Sequence, residues 1–499
     1  MKKRIWIPIS ILVLFVVVTV LALVGDRSMA RTEVGQNAMQ STNLAAQARV
    51  TGDVIAAGNL TDGTFSSIAR TTKKDESQIV LDMGQENTIN SIVLREDGLH
   101  CNSFEIAVSS DAEQYRVVHK GDKIEYLRYC TFDATACRYI RLTLDGDSGC
   151  VALREMEVYN EPQRQVQDFR VCGYYADNWS EIYRDPERTE EQKQQDLQEL
   201  IYRYNVDKLT NMFLYCGMQY DASGNFFAQD AADDAEIRQA LKWMLTQIRQ
   251  CSQRDIKLSL TFGAGSGNAT FLQAIGPNRE QFCSALIATC NEIGFDGIDI
   301  DYEFPITASD YATFDSFLIY LKQRMTAECT VKDAALLSCA FGTKDITYSP
   351  QAIASLDMVN CMTYDIFDQD GQHSSFWGGG VQGGIYLQSM GFSKQQINLG
   401  IPFYGTQVDA LMEQYLYKNL AVNDYYQNLY TVTDYLGKPT EVWFNSPSKA
   451  RDKTAYAILA GYGGIMTWHS SLDLPIESEY SLWRAINTAV SQFSTGGAV

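Results

Sequence analysis

Three hydrophobic patterns follow one another along this chain. Residues 5–24 are twenty positions without a charge or an amphipathic period, bracketed by Lys2-Lys3-Arg4 and Asp26-Arg27. From 43 to 160 apolar and polar positions alternate in short runs, at 78–83, 91–96, 103–109, 116–119, 138–144 and 156–159. A period of two over several short runs predicts an antiparallel β-sandwich of jelly-roll type. Beyond it come eight apolar, β-rich runs, at 170–175, 208–216, 257–263, 297–303, 336–341, 358–364, 397–404 and 464–469. Helical patterns at 234–249, 279–293 and 311–325 lie between several of them, an alternation that predicts a closed parallel (β/α)8 TIM barrel. The resulting division is an export segment at 1–30, a polar linker at 31–42, the sandwich at 43–160, a second linker at 161–165 and the barrel at 166–495.

Length agrees with two domains, since 499 residues are about twice a typical barrel. A formal net charge of −20 excludes nucleic acid and polyanions as natural partners and suits a neutral substrate. The apolar run at 5–24 is long enough to span a bilayer. With the basic cluster on the cytoplasmic side, everything after Asp26 is expected outside the cell, held by an anchor or released by cleavage near Ser28-Met29-Ala30. The membrane is expected to meet no other part of the chain.

Candidate chemistry concentrates in Asp296-Gly297-Ile298-Asp299-Ile300-Asp301-Tyr302-Glu303. Asp299, Asp301 and Glu303 are two residues apart, so on a strand they share one face while Ile298, Ile300 and Tyr302 form the other. Acids crowded in this way raise at least one pKa, which is what a general acid requires. A calcium-loop reading fails on spacing, because Phe304 would stand where the sixth-position glycine must be. Asp296 breaks the alternation and is read as structural. None of the four histidines has metal-ligand spacing, although His373 and His469 fall in loops expected at the rim. The twelve cysteines show no CxxC; Cys101, Cys130, Cys137 and Cys150 cluster in the sandwich, where export would permit disulfides.

The acidic motif resembles the DxxDxDxE signature of glycoside hydrolase family 18, the chitinases and endo-β-N-acetylglucosaminidases. Met362-Thr363-Tyr364-Asp365, Leu399 to Gly405, and Gly463-Gly464-Ile465-Met466-Thr467-Trp468 resemble that family's sixth, seventh and eighth strands, in the same order. The resemblance implies an enzyme whose substrate supplies the nucleophile, its own 2-acetamido oxygen. Glu303 would be the general acid and base. Asp301 would hold the acetamido N–H, Asp299 would share a proton with Asp301, and Tyr364 would donate to the acetamido carbonyl. Trp468 would be the hydrophobic floor, with Met362, Met466, Asp365 and Tyr174 lining the sugar site. No cofactor is expected for catalysis.

The sandwich resembles the discoidin-like, coagulation-factor type C domain in Asn59-Leu60-Thr61-Asp62-Gly63, Phe104 to Asp111 and Glu155-Met156-Glu157-Val158-Tyr159. Many carbohydrate-binding modules share that fold. Thr64-Phe65-Ser66 stands where relatives place a tryptophan, and Asp62 and Glu157 resemble positions near the fold's structural calcium, which makes a calcium there an expectation. The function expected is an exported or surface-anchored chitinase acting on chitin or another N-acetylglucosamine-containing glycan. The alternatives are an endo-β-N-acetylglucosaminidase on N-glycans or cell-wall glycan, a chitin-binding lectin on an inactive barrel, and adhesion through the sandwich. Only 57 residues separate Gly405 from Gly463, which leaves no room for an extra α+β insertion and predicts an open cleft with Phe376 and Trp377 as a stacking platform at its edge.

Overall fold

The computed structural model describes residues 38–147, 149–166, 168–229, 234–330, 335–342, 348–366, 372–407 and 414–495. The export segment and most of the polar stretch before the sandwich lie outside the described residues. Among those described, no helix is long and apolar enough to cross a membrane.

The first domain is an antiparallel sheet system of eight strands. These are β1 (Arg49–Gly52), β2 (Val54–Ile55), β3 (Ala69–Thr71), β4 (Ser77–Glu96), β5 (Cys101–Ser109), β6 (Arg116–Gly121), β7 (Arg128–Gly146) and β8 (Ala152–Tyr159). They pair in the order β2-β3-β8-β4-β7-β5-β6, with β1 against β4. The two runs expected at 78–83 and 91–96 are one strand, β4. It continues through register slips between Asp82 and Asn87 and between Ile89 and Ser91, where the extra residues bend it from one layer toward the other. Alternate residues Ile79, Leu81, Ile106, Ile140, Leu142 and Leu144 are fully buried between the layers, as the period of two predicts.

All twelve cysteines are free, so the sandwich contains no disulfide. Cys101, Cys130 and Cys137 are core residues with the thiol packed as a small apolar group.

The second domain is a closed parallel barrel of β9 (Arg170–Tyr175), β10 (Asn211–Tyr215), β13 (Lys257–Gly265), β14 (Gly297–Glu303), β15 (Leu336–Phe341), β16 (Met358–Cys361), β17 (Ile397–Pro402) and β22 (Gly464–Trp468). A hairpin, β11 (Met218–Tyr220) with β12 (Phe226–Ala228), follows β10. The expected helices are present as Asp234–Cys251, Arg279–Ile293 and Ala308–Glu328. Gly294, at φ 94°, ends the second in the left-handed conformation that glycine adopts without strain, and delivers the chain to β14 three residues later. The run expected at 358–364 leaves the ladder early, at Cys361. Thr363 turns aside there, its Oγ1 donating to Gly400 O at 2.8 Å, so Tyr364 and Asp365 project from a bend beyond the strand.

Between β17 and β22 the chain forms two small hairpins, β18 (Tyr404–Gly405) with β19 (Tyr415–Leu416) and β20 (Leu429–Thr433) with β21 (Pro439–Trp443). The helix Pro447–Leu459 follows, and every one of its residues is buried, charged ones included. A barrel's outer helices normally show a polar face to water. Here the sandwich covers that face. Asp452 accepts from the Thr131 N–H and hydroxyl, both at 2.9 Å, and pairs with His119 Nε2 at 2.8 Å and Arg128 at 3.1 Å, all from the sandwich.

Residues 161–165, expected to be a linker, are a docked strap. Glu161 accepts from Gln40 N and the Ser41 hydroxyl, pairs with Arg164 and exchanges two bonds with the Asn90 side chain. Arg164 N then donates to Phe493 O of the barrel's last helix. Polar backbone at a domain junction needs partners, and both domains supply them.

Candidate active site

β14 presents its three acids on the barrel's inner face at increasing height, and their environments differ. Asp299 is fully buried. Its Oδ2 accepts from the Tyr174 hydroxyl at 2.7 Å and from Thr261 at 3.3 Å, while Oδ1 accepts from Ser338 at 2.5 Å and Asn360 Nδ2 at 3.4 Å. Burial raises its pKa to about 7 against the opposing pull of the Ser338 and Tyr174 hydrogen bonds.

Asp301, half-buried one pleat higher, accepts from the Tyr215 hydroxyl at 2.5 Å through Oδ2, while its buried Oδ1 has no hydrogen-bond partner among the described residues. Neighbouring carboxylates repel when both are ionised, so Asp301 and Glu303 titrate as a pair. Burial raises Asp301. Glu303, at the strand's end, is open to the cleft, yet the surrounding rim strips enough water to raise its pKa to about 7, helped by the charges of Asp301 and Asp365. The charge of Asp301 adds to the rise at Asp299, so the three acids of this face influence one another's protonation.

The aromatic wall assembles from four strands. The Tyr174 ring stacks on Phe213 with centroids 4.8 Å apart and meets Trp468 edge-on at 5.6 Å; Tyr215 meets Trp468 edge-on at 5.8 Å. Tyr175 points outward and donates to Tyr204 O, so the inward residue of the pair is Tyr174. Tyr364 is buried with its hydroxyl toward Met466 Sδ, 3.9 Å away, and its ring edge-on to Tyr404. Burial, and then the negative charge of Asp301 and Glu303, keeps the Tyr364 hydroxyl protonated far above neutrality, a donor only. Asp365, at φ 57°, accepts from Tyr404 at 2.7 Å. Met362 is half-buried in the same bend, its N–H bonded to Phe341 O.

Asp296 lies apart from the site and ties strand bases together, accepting from Leu258 N and Arg249 at 2.8 Å. His373 is fully buried beneath Asp365 and not at the surface of the rim; His469 stays half-buried against Trp468. Phe376 and Trp377 form no platform at the cleft edge. Both are buried, Phe376 under Arg128 and Trp377 against Tyr126 of the sandwich. At the two positions of the calcium expectation, Glu157 accepts from Arg95 at 2.8 Å and from Tyr159, and the Asp62 oxygens accept from Thr64 and Ser67.

Four residues escaped the sequence reading: Tyr215, Tyr404, Ser338 and Asn360. Tyr215 carried a readable signal, since Asn211, Phe213 and Tyr215 alternate along β10 and the last ends at the same rim as Glu303. The others depend on neighbouring strands for their meaning.

The model of glycosyl hydrolases family 18 matches residues 170–473, and that of the F5/8 type C domain matches 35–156. The chain belongs to glycosyl hydrolases family 18. A protein of Caenorhabditis elegans named probable endochitinase is 26% identical over 272 residues, 44% of each chain. An endochitinase of Brugia malayi is 25% identical over 258 residues, 47% of this chain and 49% of that one. The chain thus spans less than half the length of these relatives. Chitinase ChiW from a Paenibacillus species shares the fold, with a TM-score of 0.50 at 17% identity, covering 65% of this chain and 43% of that one.

Proposed function

We propose that this family 18 member hydrolyses β-1,4 bonds adjoining N-acetylglucosamine, most simply in chitin, with the substrate's acetamido oxygen as nucleophile. The observation that carries the reading is the row Asp299, Asp301 and Glu303 on one face of β14, with Tyr215 bonded to Asp301 and with Tyr364 and Trp468 among the surrounding aromatics. Glu303 gives its proton to the glycosidic oxygen and later takes one from water. Asp301 turns its carboxylate to the acetamido N–H as Glu303 discharges, and Tyr364 donates to the acetamido carbonyl, aligning its oxygen with the anomeric carbon. Asp299 stays behind the reaction, with Tyr174, Ser338 and Asn360 fixing its orientation. Trp468 packs under the apolar face of the sugar, flanked by Met466, Met362 and Asp365.

The names of the two nematode relatives favour a chitin substrate and internal cleavage. Export rests on the apolar run at 5–24 behind Lys2-Lys3-Arg4, and cell fractionation of the full chain tests it. The decisive experiment for substrate is product analysis on chitin oligosaccharides beside a high-mannose glycopeptide. Cleavage of the former alone is the expected outcome; release of glycan from the latter alone would replace chitin with an N-glycan.

A further inference from the structure

Residues 372–377 lie between the sandwich and the bend that carries Tyr364 and Asp365, and they bond to both. On the sandwich side, Glu125 uses both carboxylate oxygens. Oε1 accepts from the Ser375 hydroxyl at 2.8 Å and Oε2 from the Trp377 N–H at 2.7 Å. Tyr126 packs edge-on against Trp377 at 5.3 Å, and Asp122 accepts from the Gln372 side chain and from Lys449. On the barrel side, His373 Nε2 accepts from Asp365 N at 3.0 Å, Ser374 N donates to Ile366 O at 2.8 Å, and the Ser374 hydroxyl donates to Thr363 O at 3.1 Å. Those three bonds grip residues 363–366 on either side of Tyr364. From beneath, buried Lys453 donates to Ser374 O at 2.9 Å and to its hydroxyl at 2.8 Å.

Glu125, Asp365 and Ser374 all hold positive φ, at 56°, 57° and 50°. Left-handed backbone is unfavourable for residues with a Cβ, so these turns persist only while surrounding bonds hold them. Glu125 is 4% exposed. A carboxylate removed from water binds N–H and O–H donors with little competition, and two bonds from one rigid group fix both position and angle of what they hold.

We infer that Glu125 of the sandwich is a positioning residue for the reaction of the barrel: through Ser375 and Trp377 it sets residues 372–377, and through His373 and Ser374 it sets Tyr364 and Asp365. The sandwich is on this account part of the active-site scaffold. The consequence for catalysis rests on the reading given under Proposed function; the mechanical coupling does not.

Variants of the full chain separate the two. Glu125→Ala removes both bonds, and a displacement of the acetamido-orienting groups then lowers kcat by about tenfold or more with little change in KM. Glu125→Gln restores both bonds, because its carbonyl oxygen accepts from Trp377 N and its amide donates to the Ser375 hydroxyl, so kcat returns to within about threefold of the parent. Asp133→Asn, which breaks the sandwich-to-barrel pair with Arg451 away from this loop, leaves kcat unchanged. Amide hydrogen exchange of the peptide spanning 363–377 is expected to quicken in Glu125→Ala and not in Glu125→Gln or Asp133→Asn. Should Glu125→Ala prove insoluble, Ser375→Ala removes one of the two bonds and carries the same test, with a smaller fall in kcat. Parental kcat and parental exchange in a folded Glu125→Ala or Ser375→Ala would overturn the inference, as would an equal loss in Asp133→Asn. If the parent hydrolyses no N-acetylglucosamine glycan, the proposed reaction fails, and the exchange result alone decides the coupling.

Discussion

Tyr215 donates its hydroxyl hydrogen to Asp301 Oδ2 across 2.5 Å, a bond that ties β10 to the acid face of β14 while Asp301 Oδ1 keeps no hydrogen-bond partner among the described residues. The bond favours ionised Asp301 and so opposes the rise that burial imposes. Tyr215→Phe is therefore expected to destabilise ionised Asp301, raise the upper apparent pKa of the Asp301–Glu303 pair and reduce kcat by about one order of magnitude, the scale of one charge-assisted hydrogen bond. A pH–kcat profile checks it: the basic limb should move to higher pH, and an unmoved limb would remove Tyr215 from the proton path.

Glu303→Gln keeps the side chain's shape and cannot yield a proton. Hydrolysis should fall by about 10² to 10⁴ while oligosaccharide binding, followed by calorimetry, survives. Activity within threefold of the parent would leave Glu303 without its role.

An N-acetyl group should be indispensable. A thiazoline mimic of the bicyclic intermediate is expected to inhibit, and a fully deacetylated polymer to resist cleavage, since Asp301 and Tyr364 would have nothing to orient. Efficient hydrolysis of a glucose polymer would contradict the mechanism.

Buried Asp299 has a stability signature. Its folded pKa is about 7 against an ordinary value of 3.8, so between about pH 4 and pH 7 the folded state holds the extra proton. The folded chain then loses stability from this group as pH rises through that window. Asp299→Asn cannot ionise. Thermal denaturation should show the variant gaining on the parent between about pH 4 and pH 7, and a constant difference in Tm across that window would mean that Asp299 is not protonated when buried.

Cleavage should be internal. Among the described residues the segment between β17 and β22 holds two short hairpins and one helix, and that helix is packed under the sandwich, so no α+β wall rises over the rim. Time-resolved products from soluble chitin are expected to be mixed, with early loss of polymer length. Disaccharide alone from the first minutes would reverse this.

The sequence by itself determined what depends on neighbours along the chain. A period of two placed Asp299, Asp301 and Glu303 on one face of β14, and eight apolar runs counted the barrel, because side-chain direction on a strand is fixed by local geometry. It also put Trp468 with Met466, whereas the choice of Tyr174 over Tyr175, open to a register slip of one, was decided by the fold. What joins distant segments was decided by tertiary structure. Ser338 and Asn360 acquire meaning only when β15 and β16 close the barrel beside β14, and no spacing records that pairing. Phe376 and Trp377 read as exposed aromatics of a rim loop, yet the sandwich buries them. Lys449, Arg451, Asp452 and Lys453 of the helix Pro447–Leu459 show nothing in sequence of what satisfies them, and in the fold His119, Arg128 and Thr131 cover Asp452. A charge looks the same in sequence whether water or a buried partner satisfies it, and only the packing of one domain on the other distinguishes them.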